Sequence, residues 1–142
     1  MSSDTDRVER LIAREAGECC DGDVAARLRA LRTRAEAAAR DATADGTALG
    51  TLGDETRYTI ARLLASAERD LCVCEIAPVV DVSDSAVSHA LADLRDAGLA
   101  SRRKDGTWRY YAATDRTRAL LDALDATRTE DATGATGGAT DE

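Results

Sequence analysis

Four thiols are the residues best equipped for chemistry in this chain: Cys19, Cys20, Cys72 and Cys74. Cys72 and Cys74 stand at i and i+2. Inside a helix such side chains diverge by about 200°, but at an extended N-cap both point the same way. The short helical stretch before Pro78 supplies that start. A helix N-terminus also lowers a thiol's pKa toward the thiolate that binds metal. Two sulfurs are too few for a closed tetrahedral site, and one short of the pyramid that As(III) or Sb(III) prefers. Cys19 or Cys20 could add the third ligand. Both together would supply a third and a fourth. A disulfide within either pair would close a strained ring, and a reducing cytosol disfavours it, so the thiols are expected free. The alternative is that they are inert, small hydrophobes. Glu75 is expected to be a first-turn helix charge and not a ligand.

The second chemical stretch is Ser83 to Gly98. Ser83 is a good N-cap, and Val82 and Val87 sit at the two positions of a hydrophobic staple. Val87, Ala90, Leu91 and Leu94 fall on one face, given about 100° per residue. Ser85 and His89 lie opposite, and Ser88 flanks them. Small polar side chains and a histidine at the start of a helix can meet base edges and phosphates. Asp93 and Asp96 would repel DNA, but they sit where the helix should be leaving a groove. Just beyond, Leu99–Lys104 and Thr107–Ala112 flank Asp105-Gly106, the signal of a two-residue type I′ hairpin. Arg102, Arg103, Lys104 and Arg109 load this hairpin with positive charge. Trp108, Tyr110 and Tyr111 are expected to pack it onto the body, since a chain so poor in aromatics should bury those it has.

The elements that position these groups follow from periodicity. A short amphipathic helix covers 4–16, and a long Ala/Arg-rich helix covers 23–43 with Val24, Leu28, Leu31 and Ala35 in one stripe. Ala44 to Gly53, with three glycines, reads as a loop. Helices follow over 54–67 and 74–80, then Ser83–Ala97, the hairpin, and a last helix from Asp115 to about Thr127. Helix-turn-helix followed at once by a hairpin is a winged helix-turn-helix: mainly α with a β wing. The expected division is 1–22 with the cysteine pair, 23–127 as the DNA-binding and dimerisation domain, and 128–142 as a disordered acidic tail.

Net charge is −8 over 142 residues, which argues superficially against nucleic acid. Yet the chain holds 18 Arg and 1 Lys against 18 Asp and 9 Glu, a bias like that of an extreme halophile, where acidity is an adaptation to solvent. Locally, residues 101–118 sum to +4, and such a basic segment says more than the total. No apolar run approaches the roughly 20 residues of a membrane span, and the charged N-terminus has no secretory signal, so a cytoplasmic protein is expected. With a single histidine on the presumed DNA face, no acid–base or nucleophile pair suggests an enzyme.

Three segments carry a family resemblance: Asp70-Leu-Cys-Val-Cys-Glu75, Val82 to Gly98, and Arg102-Arg-Lys-Asp-Gly-Thr-Trp-Arg-Tyr-Tyr111. Together with Leu49-Gly-Thr-Leu-Gly-Asp-Glu-Thr-Arg57 they resemble the ArsR/SmtB family of metal-responsive repressors over about residues 48–125. The resemblance implies a homodimer that binds double-stranded operator DNA through Ser83, Ser85, Ser88, His89, Arg102, Arg103, Lys104 and Arg109. It implies release by an inducer, As(III)/Sb(III) or alternatively Cd(II)/Pb(II), sensed at Cys72 and Cys74, with no permanent cofactor. The third thiol of some arsenic sensors is Ala77 here. In the cadmium/lead branch an N-terminal cysteine pair reaches across the dimer, a part open to Cys19-Cys20. The last helix has Asp115, Asp122 and Asp125 but no histidine, so the family's zinc site is expected to be absent. A thiol redox switch on the same fold, with a disulfide in place of metal, is the competing mechanism.

Overall fold

A computed structural model describes residues 2–17 and 21–136. By contact it divides into two units, residues 1–42 and 43–142. The first is a pair of helices, α1 (Ser2–Ala16) and α2 (Asp21–Ala38). Ile12 and Val24 are buried, and Arg27 reaches Glu15 at 2.9 Å. The stripe expected along α2 is only half used, since Leu31 is 54% exposed. Cys19 and Cys20 lie outside the described residues.

The second unit holds α3 (Ala42–Leu52), α4 (Glu55–Ser66), α5 (Val73–Val80), α6 (Asp84–Asp96), β1 (Ala100–Asp105), β2 (Trp108–Ala113) and α7 (Asp115–Thr136). Helix α3 replaces the loop expected over 44–53. Gly46 and Gly50 read as breakers, but Ala48 and Leu52 are buried at i, i+4 spacing, and burying that face outweighs the roughly 1 kcal/mol each glycine costs a helix. The helix ends at Gly53, and Asp54 caps α4 by accepting the Arg57 N–H at 3.0 Å. Arg57 then ties three helices together: its Nε donates to Thr51 O at 2.8 Å and its Nη1 meets Asp93 on α6 at 3.4 Å. Helix α7 runs on past Thr127 to Thr136.

The core is aliphatic. Ile60, Ile76, Val87, Leu91, Leu94 and Leu99 have essentially no exposed surface. Helix α7 is fastened to the base of the wing by polar contacts. The buried Thr117 hydroxyl donates to Leu99 O, Thr114 donates to Gly98 O at 2.9 Å, and Arg118 donates to Ala113 O at 2.8 Å. On α4, the Arg62 guanidinium forks onto the Asp125 carboxylate at 2.7 and 3.0 Å, and its Nε donates to the Tyr58 hydroxyl at 2.7 Å. Among the described residues, no helix is long and apolar enough to cross a membrane.

Candidate nucleic-acid interface and thiol site

Helix α6 is built for presentation. The Ser83 hydroxyl accepts the Ala86 N–H at 3.0 Å, satisfying one of the orphan donors of the first turn. Gly98, at φ +76°, takes the left-handed position that ends the helix. Val87, Ala90, Leu91 and Leu94 face the core. Ser83, Ser85, Ser88 and His89 are all exposed; Ser83 is the cap, Ser85 and His89 lie about one turn apart on the outer face, and Ser88 flanks them. Asp93 has Arg57 beside it, so part of the charge that would repel DNA is met within the protein.

The wing differs from expectation by one residue. Asp105 pairs with Trp108, so the turn residues are Gly106-Thr107 and not Asp105-Gly106. Gly106 has φ +65°, and Thr107 is not among the positive-φ residues. That is the pattern of a type II′ turn, which needs a left-handed residue only at its first central position. The register pairs Arg102 with Tyr111, Arg103 with Tyr110 and Lys104 with Arg109. Cross-strand partners share a face, so Arg102, Lys104 and Arg109 lie on one side and Arg103, Tyr110 and Trp108 on the other. All four cationic residues are exposed. Among the described residues Arg102, Lys104 and Arg109 have no ion-pair partner, whereas the Arg103 Nε meets Asp70 at 3.2 Å and its guanidinium lies 4.7 Å from the Tyr110 ring centroid. Of the three aromatics expected to pack the wing down, only Tyr111 is buried; Trp108 is 56% exposed. Trp108 lies beside the turn and on the face of the hairpin opposite the buried Tyr111 and Ala113, which leaves it in solvent.

At the thiols, Cys72 is the N-cap of α5 with an extended backbone, φ −97° and ψ 164°. Cys74 is the second helical residue. This is the geometry in which an i, i+2 pair converges. The two sulfurs are joined as a disulfide, with Cα atoms 5.4 Å apart. That corrects the expectation of free thiols: the one extended residue folds its side chain back over the first turn, within the ordinary Cα span of a bridge. Cys72 is 6% exposed and Cys74 is open to solvent, so the pair sits at a rim. Pro78 has no N–H to offer the Cys74 carbonyl, which loosens this turn.

Glu75 has both oxygens committed. One accepts the Cys72 N–H at 3.1 Å and an Arg69 nitrogen at 3.2 Å, and the other pairs with Arg69. The arginine, and secondarily the Cys72 N–H, hold its carboxyl below the usual carboxylate range. Immediately before the pair, Leu71 bridges to Tyr111 of β2. Sequence reasoning missed this link and the Asp70–Arg103 pair, because partners more than 30 residues apart leave no local signal. On α7, Asp125 is taken by Arg62 and Arg128.

Comparison with known proteins agrees with this geometry. Residues 54–102 match the family described as bacterial regulatory protein, arsR family. A Halobacterium salinarum protein named as an arsenical resistance operon repressor, ArsR, is 50% identical over 127 residues, covering 89% of this chain and 98% of its own. Its halophilic host fits the acid-rich, lysine-poor composition. A cadmium resistance transcriptional regulatory protein CadC homolog of Staphylococcus aureus is 42% identical over 64 residues, 45% of this chain and 52% of its own. Among solved structures, reduced HlyU from Vibrio cholerae superposes with a TM-score of 0.56 at 26% identity, covering 63% of this chain and 93% of that one.

Proposed function

Since the chain belongs to the arsR family, and is therefore a winged-helix transcriptional repressor and not an enzyme, we propose that it represses an arsenical-resistance operon. In this reading it binds operator DNA as a homodimer and lets go when As(III) or Sb(III) is captured by Cys72 and Cys74. The observation that carries this is the convergence of the two sulfurs at the exposed start of α5. A disulfide has no thiolate to give, so the sensing form is the reduced pair. Each thiol passes its proton to a hydroxyl of arsenous acid, which leaves as water while a sulfur–arsenic bond forms. Two such exchanges leave one arsenic hydroxyl, and Cys19 or Cys20 would replace it in a third. The donor set fits, since soft sulfur prefers soft ions.

The α6 N-terminus would enter the major groove, with Ser85, Ser88 and His89 at base edges and Ser83 by a phosphate. Arg102, Lys104 and Arg109 would follow the backbone, where phosphate contacts set register. For the dimer, an apolar groove of about 400 Å³ runs between α3, α4 and α7, lined by Leu49, Leu52, Tyr58, Leu120 and Leu124. Leu49 is 63% and Leu124 44% exposed. Apolar surface of this kind favours coverage by a partner, and a second copy satisfies it on both chains at once.

The test is fluorescence anisotropy of a labelled operator duplex with reduced full-length protein, titrated with arsenite. Wild type should release, and Cys72→Ser should bind DNA yet ignore arsenite. Full release by that variant would rule the site out. The likeness to a cadmium regulator, and the presence of four thiols in two pairs, favour a second reading in which Cd(II) or Pb(II) is the inducer. Release by cadmium but not arsenite would select it.

A further inference from the structure

The thiol pair is not an isolated loop beside the DNA-binding elements; one residue separates it from the wing. The Leu71 N–H donates to Tyr111 O at 2.9 Å, and the Tyr111 N–H donates to Leu71 O at 2.7 Å. Tyr111 also pairs with Arg102 across the hairpin. Leu71 is thus a third rung on the wing's sheet, and Cys72 begins α5 directly after it. On the other side of that rung, Asp70 accepts the Arg103 Nε at 3.2 Å. Arg69, one position earlier, holds the Glu75 carboxylate that accepts the Cys72 N–H. Four consecutive residues therefore connect a sulfur, a helix cap, a sheet edge and a wing arginine.

We propose that this segment is the transmission. Closing the thiol pair holds residues 70–72 in the geometry where Asp70 captures Arg103, and opening the pair frees Arg103 for a DNA phosphate. In this structure the sulfurs are joined and Arg103 is on Asp70, so the latch is drawn closed. The Arg103 Nε cannot serve Asp70 and a phosphate together. The pair is partly exposed, Arg103 at 56% and Asp70 at 35% of their side chains, and exposed ion pairs are weak. A small displacement of the backbone at Leu71 is enough to decide which anion the arginine takes. The other three wing cations have no such partner among the described residues, which makes Arg103 the one whose availability the thiol pair can set. Inducer binding would act on the wing as well as on α6.

This inference rests on the proposed sensing role of Cys72 and Cys74, and the experiment separates the two. Reduced full-length wild type, Asp70→Asn and Arg103→Gln are compared in three measurements: arsenite uptake by thiolate–arsenic absorbance, operator affinity with and without arsenite, and emission of Trp108. Trp108 is the chain's single tryptophan and lies on the Arg103 face of the wing. Wild type should lose about 5- to 150-fold in operator affinity on arsenite binding, with Trp108 emission changing over the same titration. Asp70→Asn should take up arsenite with unchanged stoichiometry but lose less operator affinity on doing so, the loss about threefold smaller than in wild type, the scale of one exposed ion pair. Arg103→Gln should bind DNA more weakly without arsenite and show the same shrunken release. A full wild-type ratio in both variants, with Trp108 responding as before, would overturn the latch while leaving the sensor intact. Arsenite uptake without DNA release by wild type would overturn both. If Asp70→Asn fails to take up arsenite, Arg103→Gln, which leaves the thiol segment untouched, decides the matter alone.

Discussion

Ser83 holds two jobs that substitution can separate. Its hydroxyl caps α6 by accepting the Ala86 N–H at 3.0 Å, and its side chain stands where the helix would meet a phosphate. Ser83→Ala removes the cap and should destabilise by about 1 kcal/mol. For a unit of this size that corresponds to a fall of about 4–8 °C in melting temperature. Ser83→Asn and Ser83→Asp both restore a cap and should melt near wild type. They diverge on DNA. A carboxylate about 4 Å from a phosphate is repelled by roughly 1 kcal/mol in water and by about 4 kcal/mol at a protein surface. Even the lower figure weakens binding about fivefold, and the effect shrinks in high salt. Thermal melts by circular dichroism and operator anisotropy at fixed salt read the two effects independently. Wild-type operator affinity in the Ser83→Asp protein would refute the placement of the α6 N-terminus at the backbone, and an unchanged melting temperature in Ser83→Ala would refute the cap.

Other outcomes follow from the same structure. Leu91 is fully buried between α6 and the core, so Leu91→Ala should cost about 2–5 kcal/mol, visible as a lowered urea midpoint; a loss under 1 kcal/mol would mean the site collapses around the gap. The Asp125 carboxyl is pulled down to about 2, chiefly by Arg62 and then by Arg128. A depressed carboxyl contributes stability above its ordinary value of 3.8 and loses it as pH falls toward about 2. Asp125→Asn should therefore flatten the acid limb of a melting-temperature profile in that window, and identical profiles would contradict the pairing. Protein oxidised with diamide should be deaf to arsenite until a dithiol reductant restores the pair, whereas an arsenite response in oxidised protein would show that other groups bind it.

What was legible in the sequence was whatever is encoded locally. The α6 cap, its buried face and its glycine stop were readable because Ser83, Val87 to Leu94 and Gly98 each act within a turn or two. The wing was readable as a hairpin, but its turn was misplaced by one residue: Asp105-Gly106 and Gly106-Thr107 both put a glycine where a left-handed residue is needed, and pairing across the strands chose between them. Helix α3 was hidden because Gly46 and Gly50 weaken it in isolation, and only burial of Ala48 and Leu52 restores it. At the thiols, convergence of Cys72 and Cys74 was inferable from an extended N-cap followed by a helix. The rung between Leu71 and Tyr111 and the pairing of Asp70 with Arg103 were not, since both depend on how the hairpin folds back onto the segment that precedes α5. Trp108 was misjudged for the opposite reason. Aromatic scarcity suggested burial, but its place beside the turn leaves it in solvent.

The central claim is that sulfur at positions 72 and 74 captures the ion whose arrival frees the operator. The most direct measurement is X-ray absorption at the arsenic edge on reduced full-length protein that arsenite has released from DNA, repeated on a Cys19→Ser/Cys20→Ser variant. Three sulfur neighbours per arsenic are expected in the first sample and two, with oxygen in the third place, in the second. Arsenic surrounded only by oxygen in the released protein, or an unchanged sulfur count after Cys72→Ser and Cys74→Ser, would contradict it.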